Sequence, residues 1–143
     1  MRLAVVALAA VLATGGCAGP DPAGGAAPDG VRQVRVLADD TLREAFGQVE
    51  VLFEEQNPSV DVVVAYGAGI DLARRIAGGE PAEVFATDDV SALATVGAAD
   101  KAEIFAGGRL GVAALQPAGE PFVAFVKEDA AQRVFTDTGI LRP

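Results

Sequence analysis

Apolar and polar positions along this chain follow two rhythms, one of period two and one of period near 3.6. From Val34 to Asp39 apolar residues alternate around Arg35, which predicts a strand. Asp39-Asp40 makes a short polar turn, and Thr41-x-x-Glu44 has the form of a capping box. In such a box the Thr41 hydroxyl accepts from a first-turn N–H and the Glu44 carboxylate reaches back to the cap's own N–H. Leu42, Ala45, Phe46, Val49, Leu52 and Phe53 share one helical face, predicting a helix over 41–56 that Asn57-Pro58 ends. Val60 to Tyr66 is β-branched and nearly continuously apolar, the pattern of a strand buried on both faces. After the turn Gly67-Ala68-Gly69, inward positions Ile70, Ala73 and Ile76 predict a short helix over 70–77, closed by Gly78-Gly79.

The alternation continues to the C-terminus. Residues 84–86 read as a brief strand, and Thr87-Asp88-Asp89 caps a helix over 90–97 with Leu93 inward. Residues 110–115 read as a strand and 116–121 as a loop. Phe122, Phe125, Val126, Ala130 and Val134 predict one helix over 122–135, with Gly139 as a C-cap. Strands alternating with helices predict an α/β fold: a single three-layer lobe over residues 31–143 with a mostly parallel, helix-covered sheet.

The first thirty residues do not share this patterning. Arg2, an apolar run from Leu3 to Ala13, and small residues before Cys17 read as a signal peptide over 1–17. The run is too short for a permanent membrane span. Small residues directly before the sole cysteine resemble a bacterial lipobox, which implies lipidation of Cys17 and a membrane anchor. An ordinary secretory signal with a stray cysteine is the alternative. Residues 18–30 have the Pro/Gly/Ala composition of a flexible tether.

Charge and composition narrow the function. With 11 Lys and Arg against 20 Asp and Glu, the net charge of -9 argues against nucleic acid, which wants basic patches. It also requires that any anion be held by local groups. The absence of His removes the commonest general base and metal ligand, and with it most serine-hydrolase and zinc chemistry. No nucleophile–base pair or Gly-rich phosphate loop stands out, so neither an enzyme nor a cofactor is expected. The pairs Asp39-Asp40 and Asp88-Asp89 allow a hard cation such as calcium, but capping and solvation explain each.

Three blocks together resemble the molybdate-binding proteins of ABC importers. Residues 34–46, VRVLADDTLREAF, are similar to that family's strand-Ala-Ala-Ser-Leu-helix opening. Residues 62–89, VVVAYGAGIDLARRIAGGEPAEVFATDD, are similar to its second strand, small-residue turn, Leu-Ala-Arg-Gln-Ile helix and Gly-x-Pro-Ala-Asp-x-Phe segment. Residues 122–143 are similar to its closing helices and tail. The resemblance implies a type II periplasmic binding lobe, an oxyanion such as molybdate or tungstate as solute, and an ABC permease as partner. It places the ligand edge at Thr41, Gly69 and Ala68, with Asp40 standing where the family has a small neutral residue. Of the two hydroxyl positions in the family's first lobe, one falls on Thr41 and the other on Gly69, which offers only its backbone N–H. The second lobe has little counterpart, Leu115 being followed closely by the C-terminal block. A carboxylate about 5 Å from a dianion, at an effective dielectric of about 20, costs roughly 6–7 kcal/mol before screening. Molybdate binding is therefore expected to be weak or lost. A single-lobe surface lipoprotein acting through protein contacts is the second hypothesis.

Overall fold

The computed structural model describes residues 29–142. The signal segment, Cys17 and nearly all of the 18–30 tether lie outside the described residues. Five strands form one sheet: β1 (Arg32–Asp39), β2 (Val60–Gly67), β3 (Val84–Thr87), β4 (Glu103–Phe105) and β5 (Leu110–Ala114), in the order β2-β1-β3-β5-β4. β1 pairs in parallel with β2 and β3, while β5 is antiparallel to both β3 and β4. Four strands thus run one way and β5 alone runs against them. The sheet is mixed by pairing and mostly parallel by direction.

Helices cover both faces. Val34, Val36 and Ala38 of β1 point into a core with Phe46, Val49 and Phe53 of α1 (Arg43–Gln56), Phe122 of α4 (Glu120–Val126) and Phe135 of α5 (Asp129–Asp137). Phe53 packs edge-on to Phe122 with ring centroids 5.2 Å apart. Leu37 points the other way, to Leu72 and Ala73 of α2 (Gly69–Ala77) and to Leu93 of α3 (Ser91–Thr95). The period-two alternation of β1 is therefore what divides the protein into two cores, which gives the expected three layers.

Several local expectations are corrected. β2 is an edge strand: Val62 is buried but Val63 is 36% exposed, because nothing lies beyond it in the sheet. Ile70 is exposed and Leu72 takes the inward place. The helix expected over 122–135 is two, since Glu128 is extended (φ -76°, ψ 155°) between α4 and α5. α4 also begins earlier, at Glu120, with Pro121 in its first turn, where the ring costs no hydrogen bond. β4 was not expected from the sequence; its three residues are too few to show a period. The segment 116–121 sits at the edge where β3 begins: the Leu115 N–H donates to the Glu83 carbonyl at 2.8 Å.

Candidate functional site

β1, β2, β3 and β4 all end at one edge of the sheet, with Asp39, Gly67, Thr87 and Phe105 as their last residues. Two chain turns there lead straight into helices. From β1, a single 3-10 turn over Asp40–Leu42 runs into α1. From β2, Ala68 precedes the first turn of α2. Backbone N–H groups at such helix starts are unpaired within the helix and carry partial positive charge, so this edge suits an anion.

The expected cap is displaced by two residues. Asp39, not Thr41, caps the turn: its Oδ1 accepts from the Thr41 N–H at 2.9 Å and from the Thr41 hydroxyl at 2.8 Å. Thr41 is a donor to that cap rather than the acceptor a capping box requires, so the box with Glu44 does not form. The same carboxylate reaches across to α2, where its Oδ2 accepts from the Gly69 N–H at 2.6 Å. Asp39 is only 8% exposed and Thr87 beside it is fully buried. Asp40 is exposed and pairs with Arg43 on the surface. Arg43 in turn lies 4.4 Å above the Tyr66 ring. The structure thus brings Thr41 and Gly69 together, with Ala68 between the β2 end and α2, while the carboxylate between them is Asp39.

A second Asp-x-hydroxyl turn lies at the same edge. Asp89 Oδ1 accepts from the Ser91 hydroxyl at 2.6 Å and from the Ser91 N–H at 2.9 Å. These bonds, the hydroxyl's first, hold the Asp89 carboxyl below its ordinary value. Thr87 Oγ1 accepts from the Asp89 N–H at 3.0 Å. The repeat of Asp39-x-Thr41 as Asp89-x-Ser91 is the sequence signal that identifies the acids as caps of their own turns. Thr41, Asp88 and Arg109 line a shallow recess of about 250 Å³ at this edge. A larger recess, of about 450 Å³, lies at the opposite edge near Glu103, Gln116 and Lys127; there Lys127 is paired with Glu103 at 3.0 Å. Among the described residues no group of three or more His, Cys, Asp or Glu is placed to hold a metal ion.

An open α/β sheet with helix starts gathered at the carboxyl ends of its strands belongs to the class of ligand-binding lobes. Residues 34–118 match the bacterial extracellular solute-binding proteins, and the chain belongs to that family. It is 35% identical over 78 residues to molybdate-binding proteins ModA of Mycobacterium tuberculosis and Mycobacterium bovis. That stretch is 54% of this chain and 29% of each relative, so the chain spans under a third of their length. Among solved structures, a domain described as the substrate-binding domain of a molybdenum ABC transporter from Clostridium difficile is similar at 23% identity and a TM-score of 0.44. It covers 49% of this chain and 30% of that one. The sulfate-binding protein SubI of M. tuberculosis is similar at 26% identity and a TM-score of 0.45, covering 50% of this chain and 26% of that one.

Proposed function

We propose that this chain is a solute-binding lobe of an oxyanion importer of the molybdate or tungstate type, with weakened affinity. A lipid on Cys17 would hold it at the outer face of the cytoplasmic membrane, beside an ABC permease that receives the solute. The carrying observation is that the family match over residues 34–118 includes both the Thr41 turn and the start of α2 at Gly69. The relatives named as molybdate-binding support the choice of solute. Thr41, Ala68 and Gly69 are the residues proposed to face it. The charge of Asp40 is partly offset there by its pairing with Arg43.

A second reading, in which the lobe binds no oxyanion and works through protein contacts, draws on one observation. The Thr41 and Gly69 N–H groups already have a carboxylate partner.

Nitrogen-15 NMR of the full chain, titrated with sodium molybdate, tungstate and sulfate, tests the first reading. Molybdate and tungstate are expected to move the Thr41 and Gly69 amide signals with affinities of about millimolar, equivalent to about 4 kcal/mol of binding. Signals that stay still at this edge, or shifts confined to another face, would discard it.

A further inference from the structure

We infer that the Asp39 carboxylate is a tethered anion seated in the lobe's own oxyanion cradle, so that the protein competes with its solute. The inference rests on the reading that this edge is the solute site. Asp39 ends β1 and is 92% removed from solvent by the 8% exposure noted above. Its two oxygens take three donors from two separate chain segments: the Thr41 N–H, the Thr41 hydroxyl and the Gly69 N–H. A dissolved oxyanion held between the same helix starts would use the same donors. Among the described residues no Lys or Arg is a hydrogen-bond partner of Asp39, and Arg43 is engaged with Asp40 and with the Tyr66 ring. Backbone and hydroxyl dipoles therefore carry the charge, as they would for a bound anion.

The space agrees with the hydrogen bonds. A Cβ at Gly69 would come 2.6 Å from Thr87 Oγ1 and 2.8 Å from Asp39 Oδ2. The volume that a side chain at position 69 needs is already occupied, in part by the carboxylate. The carboxylate that fills this space belongs to Asp39, the last residue of β1, and not to Asp40, the acid that departs from the family's pattern and pairs with Arg43. A group on a short tether competes at an effective concentration of about millimolar or more, and a rigidly oriented one at far more. A dissolved oxyanion must displace Asp39 or sit beside it against like charge.

The test compares the full chain with its Asp39→Ala and Asp39→Ser variants, titrated with sodium molybdate and followed at the Thr41 and Gly69 amides. A serine hydroxyl can still accept from the Thr41 N–H while leaving the Gly69 N–H free. Both variants are expected to bind molybdate about tenfold tighter or better than the parent, a change of about 1.4 kcal/mol. Equal affinity of parent and folded variants at this edge would overturn the inference and leave the proposed function standing. Silence at both amides in all three proteins would overturn both. Should Asp39→Ala fail to fold, Asp39→Ser carries the binding test. A ligand-free cycle adds a second readout. Gly69→Ala should lower the Tm of the parent more than that of Asp39→Ser, and equal losses would contradict the shared volume.

Discussion

Thr87 Oγ1 and Asp39 Oδ2 crowd the hydrogen side of Gly69 so closely that a methyl group must push one of them aside. Overpacking of this kind typically costs about 1–3 kcal/mol, so Gly69→Ala should lower the denaturation midpoint correspondingly. At Glu50 the expected change is the opposite. Burial on α1, then the negative charges of Glu54 and Asp61, raise its pKa above the ordinary 4.5. An acid whose folded pKa is raised withholds stability as pH rises through that interval, because the unfolded chain ionises first. Glu50→Gln should therefore raise the Tm at pH 7 and lose that advantage below about pH 4.5, in thermal melts at the two pH values. Neither residue shows its role in the sequence. Glu50 looks like a solvated helix position, and the crowding at Gly69 arises from residues far along the chain. Asp39 was closer to legible: Asp-x-Thr is an Asx-turn pattern, but the competing Thr-x-x-Glu pattern starting two residues later points to a different cap.

Among the described residues the sequence pattern located the α-helical segments but merged α4 and α5 into one. Phe122, Phe125, Val126, Ala130 and Val134 keep a helix-like spacing across the break between α4 and α5, so the apolar pattern cannot register it. What ends α4 is polar: the Gln132 side-chain amide donates to the Val126 carbonyl at 2.7 Å, satisfying a terminal acceptor. Edge position is equally hidden, since Val60–Tyr66 reads as a central strand and only the strand order places β2 outermost. The packing of α1 against α4 and α5 centres on Phe46, fully buried with its ring 5.9 Å from Phe135 and 6.2 Å from Phe122. Phe46→Ala should cost about 3–5 kcal/mol in urea unfolding, by loss of transfer energy and creation of a cavity. A loss below about 1 kcal/mol would mean that the three helices do not share this core.

Across the whole molecule the α/β class was legible, and so was the order of elements apart from β4 and the break between α4 and α5, because the repeated change of period fixes them. Strand direction was only partly so. β5 follows a tight turn after β4, and three residues of β4 gave no warning of a hairpin. With an excess of acid over base and a net charge of -9, an anion at the proposed ligand edge would rely on local groups, the backbone dipoles there and Arg109 among them. At this scale the envelope reading makes its own prediction. Cys17→Ala should move the protein from the membrane fraction to the soluble fraction of a bacterial host, and unchanged membrane association would refute the lipid anchor.

The reversed strand also determines where the lobe can be enlarged. Because β5 returns against its neighbours, the turn over Ala106–Arg109 opens beside Thr41, whereas the turn over Pro117–Gly119 opens at the far rim. Polypeptide spliced between Gly107 and Gly108 would lie on the side of Thr41 and the proposed solute edge, and polypeptide spliced at Ala118 on the opposite side. Exposed turns accept insertions with little loss of fold; Gly107 is exposed, whereas Gly119, beside Ala118, is buried. If the proposed edge receives a solute, a small reporter domain grafted at the first point becomes an awning over its path, and one grafted at the second hangs clear of it.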